Sequence, residues 1–534
     1  MHNVIVLSGP VSVGKTEVAT FVENRYGAIR LGTGELIRVS LPRNADRAAQ
    51  QAAGDALDVE TGGLWVASAL AKMDRERPEV RDAPAIIVDS IRRIEQVDAI
   101  RAAFGTRVRV LHVHLTAPLA LIEQRFRKRR RSTDPADYAT VRAHPLEAAI
   151  DTLAGPADIV IEYSSRLQAG DAAARIAARL GLYGSAAGYV DVMIGGQYGS
   201  EGKGHIAAYL SPEYDLLVRV GGPNAGHSVL NEAGVKFVHH LLPSGTLVSD
   251  ARLLIGPGAV LDVAGLLSEI TACEVTPDRL TIDPQAMIIT ADHKKREEAL
   301  VARIGSTGQG GGAATADRVL RGADVKLARD IAELRPFVRA SGEVLDASYA
   351  RGERIMLEGT QGSALSLYHG PYPHVTSRDT TVAGCLAEAG IPPGRLRRVI
   401  MVVRTYPIRV QSPKGATSGY MSRELKWAEI ARRSGIPYRE LLKTEKTSTT
   451  KRRRRVAEFD WQLLQRSTSL NAPTDIALTF TDYLSVSNRD ARRFEQLEAD
   501  TIRFIEEVET VAAAPVSLIS TRFHRRSIID RRGW

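Results

Sequence analysis

Tyr189-Val-Asp-Val-Met-Ile194-Gly195-Gly-Gln-Tyr-Gly199-Ser200-Glu201-Gly202-Lys203-Gly204-His205 is the stretch that decides the fold of this chain. An apolar, β-branched run meets a glycine loop, and a helical pattern follows. That order predicts a buried parallel strand whose turn presents backbone N–H groups to a phosphate at a helix start. The glycines Gly199, Gly202 and Gly204 let the backbone approach an anion, and Lys203 adds a cation there.

Upstream, the same grammar occurs once before. Residues 3–8 (NVIVLS) form an apolar run, and Gly9-Pro-Val-Ser-Val-Gly14-Lys15-Thr16 fits G-x-x-x-x-G-K-[ST] between a predicted strand and a predicted helix. Gly9 and Gly14 let N–H groups wrap phosphate. Lys15 would hold the transferring phosphate and the Thr16 hydroxyl would ligate magnesium. Further strands are expected at 85–88, 108–113 and 158–161, with helices at 17–26, 61–75, 119–130 and 170–182. Alternating strands and helices imply a doubly wound parallel α/β sheet. The small-residue stretch 184–188 reads as a linker, dividing the chain into domains 1–183 and 189–534. Both domains are expected to be α/β.

Bulk properties narrow the function classes. The chain has 534 residues, 44% apolar and 25% charged, enough for two cores. No run of about eighteen apolar residues occurs, so no transmembrane helix is expected. The first strand leaves no room for a signal peptide. Two cysteines, Cys273 and Cys385, exclude a disulfide framework, and a reducing cytoplasm fits. The net charge of +9 suits anionic partners. Two basic runs, 125–131 (RFRKRRR) and 451–455 (KRRRR), contribute to it. Apart from Phe126 neither is interleaved with aromatic residues, which argues against nucleic acid as the partner.

In the first domain, Asp89-Ser-Ile-Arg92-Arg93 follows a strand, and Leu115-Thr-Ala-Pro118 precedes Arg125, Arg127 and Arg129 to Arg131. This segment resembles small nucleoside-monophosphate kinases and dephospho-coenzyme-A kinase. The resemblance implies an acceptor site at Asp89 and Arg92 and a lid whose arginines neutralise the transferring phosphoryl group. A nucleoside monophosphate is the acceptor class it suggests; a regulatory ATPase is the other reading.

The second domain carries an ordered series. It includes Pro223-Asn224-Ala-Gly226-His227-Ser228, His240-Leu-Leu-Pro243-Ser244-Gly245, Gly305-Ser-Thr307-Gly-Gln309-Gly310, Glu358-Gly-Thr-Gln361-Gly362, His374-Val-Thr376-Ser377, Thr449-Thr450-Lys-Arg452-Arg453-Arg454-Arg455, Leu478-Thr-Phe480-Thr-Asp482 and Ile519-Ser520-Thr521. The series resembles adenylosuccinate synthetase over about 189–534. The resemblance implies a ligase that moves the γ-phosphate of ATP or GTP to O6 of a purine nucleotide and then lets L-aspartate displace it at C6. It implies Lys203, Ser200, His227 and Gln361 as catalytic residues, with His227 donating a proton toward O6. It further implies Asn224, Thr307 and Thr376 on the nucleotide and Thr450, Arg452 and Arg454 on the aspartate carboxylates. Arg321 would reach a neighbouring subunit of a homodimer. Asp482 and Ser520 would sit at the donor nucleotide, and Gly226, with Ser200, at magnesium. Arginine forks suit carboxylates, which is the chemical reason for such a loop.

Two departures stand out. The common loop reads G-D-E-G-K-G, and here Ser200 occupies the aspartate position. A serine hydroxyl is not a base near neutral pH and is a poorer metal ligand. With Pro223 and Gln309, it resembles phage-type relatives that act on dGMP to make N6-succino-2-amino-2′-deoxyadenylate. IMP is the alternative substrate, and a degenerate nucleotide sensor is the alternative class. Phe480 stands where the common family has lysine; it is expected to stack on a base, with ATP favoured over GTP.

Overall fold

The computed structural model describes residues 3–42, 45, 47–105, 108–129, 137–163, 169–182, 188–230, 234–446, 452–524 and 527–533. The chain divides into two compact units, one formed by Met1–Ser185 with Tyr349–Gly352 and a second by Ala186–Ser348 with Glu353–Trp534. The expected linker 184–188 lies outside the described residues except for Gly188.

In the first unit, β1 (Asn3–Ser8), β2 (Ile29–Gly32), β3 (Ile86–Asp89), β4 (Arg109–Thr116) and β5 (Ile159–Glu162) form a parallel sheet in the order β2-β3-β1-β4-β5. Val4, Ile5, Val6 and Leu7 are all fully buried, which is what a strand covered on both faces requires. The helix α1 (Lys15–Tyr26) follows the glycine loop. The short strand β2 has no counterpart in the sequence reading; its run of four residues carries Arg30 and is too brief for a periodic signal.

The second unit is built on a nine-stranded sheet. Its strands in chain order are β6 (Val190–Gly195), β7 (Leu216–Arg219), β10 (Arg252–Ile255), β12 (Leu280–Ile282), β14 (Ile355–Glu358), β15 (Leu396–Arg404), β19 (Asp475–Thr479), β20 (Val516–Ser520) and β21 (Ile528–Asp530). Two small pairs, β8 (His227–Leu230) with β9 (Lys236–His239) and β11 (Val260–Leu261) with β13 (Met287–Ile288), flank it. A three-stranded antiparallel sheet joins β16 (Ile408–Val410), β18 (Arg454–Ala457) and β17 (Glu424–Leu425). The large sheet runs β12-β10-β7-β14-β6-β15-β19-β20-β21, parallel except at β21.

The central strand β6 is buried along its whole length, including Asp191. A buried carboxylate needs partners. Arg397 Nε donates to it at 2.8 Å and the Tyr214 hydroxyl at 2.6 Å. Among the described residues no helix is long and apolar enough to cross a membrane.

Candidate active site

The parallel topology explains where the chemistry gathers. Ligands in open α/β sheets bind at the carboxyl ends of the strands. Here five adjacent strands, β7, β14, β6, β15 and β19, end in Arg219, Glu358, Gly195, Arg404 and Thr479. Arg219 and Glu358 stand opposite each other in register, as do Arg404 and Thr479.

The loop after β6 turns into the helix Lys203–Leu210 through Gly202, whose φ of 94° is left-handed and suits glycine. Glu201 folds back inside this loop. It accepts from the backbone N–H of Gln197 at 3.0 Å and of Gly199 at 2.7 Å, and pairs with Lys203 Nζ at 2.8 Å. Gly204 brings the helix against His227: a Cβ at Gly204 would stand 2.7 Å from the His227 Cβ. Gln361, at φ 57°, lies against the same loop, with its Cα 2.9 Å from where a Gly199 Cβ would be. Lys203, His227 and Gln361, drawn from three distant motifs, therefore converge.

His227 is 4% exposed and tightly held. Its Nδ1 faces the Glu358 carboxylate in a short contact, lies 2.8 Å from Arg219 Nη1 and 3.3 Å from the Ser244 hydroxyl. Ser244 also donates to Glu358 through its hydroxyl and, at 2.7 Å, through its N–H. Nε2 of His227 is buried without a hydrogen-bond partner among the described residues. Burial first, then Arg219, push the imidazole down to about 3. Burial pushes the Glu358 carboxyl upward, but Arg219, His227 and Ser244 prevail and hold it below the usual range. The free site thus holds a neutral imidazole beside an ionised carboxylate.

The nucleotide-contact candidates lie on segments linked to this centre through the loop that ends in His227. Asn224 is 3.6 Å from where a Gly311 Cβ would be, so the loop ending in His227 packs against the helix that follows Thr307. The Cβ of Ser377, next to Thr376, is 3.3 Å from where a Gly312 Cβ would be, on the same helix. That helix start is capped by buried Glu297, which accepts from the N–H of Gly310 at 2.8 Å and of Gly312 at 2.5 Å. Arg321 ends the helix in a left-handed, exposed position. Gly226 sits one residue before His227 in this loop.

At the other end lie the donor and carboxylate candidates. Arg404 is 1% exposed, with its guanidinium 4.2 Å above the Phe480 ring. Gly202 approaches the same ring, with a Cβ position 3.4 Å away. One face of the Phe480 ring is therefore covered by the protein itself. Asp482 is buried; Arg489 Nε donates to it at 3.1 Å, while its other oxygen has no hydrogen-bond partner among the described residues. Burial, opposed by Arg489, pushes its carboxyl up to about 6. Ser520 is buried at the end of β20, next to Thr481. Arg454 pairs with Glu445 at 3.2 Å, whereas Arg452 is exposed on a groove of about 420 Å³ with Gln411, Ser412 and Lys414. Thr450 lies outside the described residues.

In the first unit, Gly14, Lys15, Thr16, Asp89 and Arg92 line one cavity of about 970 Å³. Lys15 Nζ donates to the carbonyls of Gly9 at 2.7 Å and Pro10 at 2.8 Å. Arg92 pairs with buried Glu147, which also accepts from the Val11 N–H at 3.2 Å. From the basic run, Arg125 donates to the Val13 carbonyl at 2.7 Å, and Arg130 and Arg131 lie outside the described residues.

The assignment of roles in the sequence left out Arg219, Ser244, Arg404, Glu445 and the role of Glu358. A signal for three of them was present: Arg219, Glu358 and Arg404 each end an apolar strand run with a charge.

Comparison with known proteins agrees with the geometry. A family model described as adenylosuccinate synthetase matches residues 192–329 and 325–489. A model described as an AAA domain matches residues 4–156. Adenylosuccinate synthetase of Methanocaldococcus jannaschii is 38% identical over 349 residues, covering 64% of this chain and 96% of that protein. The one from Thermococcus onnurineus is 38% identical over 349 residues, covering 64% and 98%. A solved succinoaminodeoxyadenylate synthetase of cyanophage S-2L, bound to dGMP and to dATP as an energy donor, is 28% identical with a TM-score of 0.55, covering 65% of this chain and 96% of that one. Adenylosuccinate synthetase of Plasmodium falciparum, 22% identical with a TM-score of 0.57 over 65% of this chain and 100% of that one, shares the fold.

Proposed function

The chain belongs to the adenylosuccinate synthetase family, and from that premise we propose that its second unit joins L-aspartate to C6 of dGMP at the expense of ATP. The observation that carries the choice of dGMP is Ser200 inside an otherwise complete set of loops. A serine in place of a carboxylate opens space beside N1 and the 2-amino group of guanine. It also leaves no base there near neutral pH. The similarity to the phage enzyme bound to dGMP supports this choice. The archaeal relatives, named as adenylosuccinate synthetases, favour a second reading with IMP.

In this reading Lys203 and the loop N–H groups hold the γ-phosphate as it passes to O6. O6 takes the phosphoryl group as its bond to the donor breaks and ADP leaves, the N1 proton passes to water, and the oxo group, a poor leaving group, becomes a phosphate ester. His227 supplies a proton at Nε2 toward O6, where charge develops. Arg454, with Arg452 and Thr450, grips the aspartate carboxylates. The aspartate nitrogen then forms its bond to C6, and phosphate leaves with the O6 oxygen. Gln361 orients the purine, Thr307, Thr376 and Asn224 its 5′-phosphate, and Asp482 and Ser520 the donor base. Magnesium would be held by hard oxygen donors, the Ser200 hydroxyl and the Gly226 carbonyl; the Ser200 carbonyl is already taken by Arg404 Nη1 at 3.2 Å. When bound it would neutralise charge on the transferring phosphate. Arg321, exposed at its helix end, would complete the site of a second copy in a homodimer.

Purified protein supplied with aspartate, ATP and either dGMP or IMP is expected to turn over dGMP at least about tenfold more efficiently, the scale on which one pocket change discriminates substrates. Preference for IMP in product mass spectrometry would establish the second reading instead.

The first unit is read as a phosphotransferase acting on a nucleoside monophosphate, with Lys15 on the donor phosphate, Thr16 at magnesium, and Asp89 and Arg92 at the acceptor. Domains 1–183 and 189–534 would then place two nucleotide-using sites on one chain at high local concentration. Lys15→Met is expected to weaken ATP binding by the first unit roughly tenfold, the loss of one charge-assisted contact. It should leave aspartate-dependent phosphate release unchanged. A parallel fall in that release would contradict independent sites.

A further inference from the structure

We propose that Arg404 and Glu445 couple the donor-nucleotide pocket to the carboxylate-binding Arg454, so that the triphosphate and aspartate bind cooperatively. This rests on the ligase reading of the second unit and adds to it a regulation of order.

The observations form an unbroken path. Arg404 ends β15 between the strands that launch the phosphate loop and the Phe480 loop. Its backbone exchanges two hydrogen bonds with the Gln197 side chain, both at 3.1 Å, fixing it to the phosphate loop. One arm of the guanidinium donates to the Ser200 carbonyl at 3.2 Å. The other pairs with Glu445 at 3.2 Å. Its face covers Phe480, with the Tyr483 ring at 5.6 Å. Glu445 holds Arg454 by its second oxygen and accepts the Tyr483 hydroxyl at 2.5 Å. The Nε atoms of Arg404 and Arg454 are both buried without a hydrogen-bond partner among the described residues.

A single carboxylate thus divides its charge between Arg454, on the aspartate side, and Arg404, which backs the phosphate loop. Glu445 is 4% exposed, so neither arginine can move without altering the other's neutralisation in a medium where charges interact strongly. A triphosphate that draws the Ser200 loop or Phe480 acts on Arg404, loosens its hold on Glu445, and changes how Arg454 is presented. Differential contact of a ligand with two arrangements is what coupling requires. Arg404 touches no substrate in this scheme; it is a positioning residue.

The test measures the KM for aspartate at low and at saturating ATP, with purine nucleotide saturating. For the unaltered protein it is expected to fall at least about fivefold as ATP rises, the lower end of usual coupling strengths. Arg404→Lys keeps a cation but cannot bridge two acceptors over a ring. Phe480→Leu keeps apolar bulk but removes the stacking. Both are expected to bring the ratio of the two KM values close to one, a change that a merely structural role would not produce. If Arg404→Lys does not fold, Phe480→Leu decides. A variant that retains the unaltered ratio, or an unaltered protein whose ratio is one, overturns the coupling alone. Absence of any aspartate-dependent phosphate release from the unaltered protein overturns the ligase reading beneath it.

Discussion

Replacing His227 with asparagine is expected to lower kcat for aspartate-dependent phosphate release by about a hundred- to ten-thousandfold, the range for a positioned proton donor. The expectation follows from how the imidazole is held. Its Nδ1 is enclosed by Glu358, Arg219 and Ser244, so only Nε2 is left for a substrate. Burial and Arg219 keep the ring neutral, down to about 3, when the site holds no nucleotide. A neutral ring with Nδ1–H turned to Glu358 cannot donate at Nε2. It becomes an acid when anionic phosphates and the charge developing on O6 enter the same low-dielectric space and favour the imidazolium. Asparagine can keep a hydrogen bond to Glu358 and roughly the same volume, but it cannot carry that proton. The loss should therefore fall on kcat, with KM for the nucleotide changing by no more than about fivefold, as for an interaction made mainly in the transition state. Steady-state phosphate release at saturating substrates measures it. A decrease smaller than roughly tenfold would remove His227 from the role of acid.

How much of this site could be read from the chain differs from residue to residue. The two glycine loops announced themselves because strand, loop and helix come in a local order that only a phosphate cradle commonly uses. Lys203, His227 and Gln361 were legible as members of a series, although they lie 158 residues apart from first to last; 361 less 203 gives that span. Their convergence follows from parallel strands delivering every loop to the same edge of the sheet. Arg219 and Glu358 escaped assignment because their meaning is a register: β7 and β14 are sequence-distant neighbours, and only the pairing sets one charge opposite the other. Arg404 escaped for a similar reason. Its partner Phe480 read as a place for a base, and no local pattern announced the guanidinium that lies over its ring. A one-dimensional pattern carries the charge at the end of an apolar run but not the identity of the strand beside it. Such strand-end charges are still readable as a class. The runs LLVR, IMLE and IMVVR each end in a group too polar for the core they leave, and a parallel sheet would bring them together.

Glu358→Ala is expected to destabilise the second unit by about 3–5 kcal/mol, the cost of leaving a buried charge without its partner. Arg219 is 2% exposed and Glu358 1%, so water is not available to replace the lost carboxylate. Arg219 Nη1 donates to Glu358 at 2.7 Å; after the substitution its described acceptors reduce to the His240 carbonyl, 3.3 Å from Nη2, and the His227 ring. Ser244 loses the acceptor of both its hydroxyl and its N–H. Glu358→Gln should cost less, since an amide oxygen can still accept from Arg219 and Ser244, and the difference between the two variants isolates packing and hydrogen bonding from charge. The pH dependence has a definite sign. The native carboxyl is held below its ordinary 4.5, so the unfolded chain binds the proton more readily. Its stabilising contribution is complete above 4.5 and is lost as pH falls through the lower native value. Denaturant midpoints of the second unit, measured from pH 7 downward, should therefore fall more steeply in the unaltered protein than in Glu358→Ala, and the two curves should approach each other in acid. Parallel curves across that window would mean that Glu358 contributes shape and not charge, and the electrostatic account of His227 would lose its anchor.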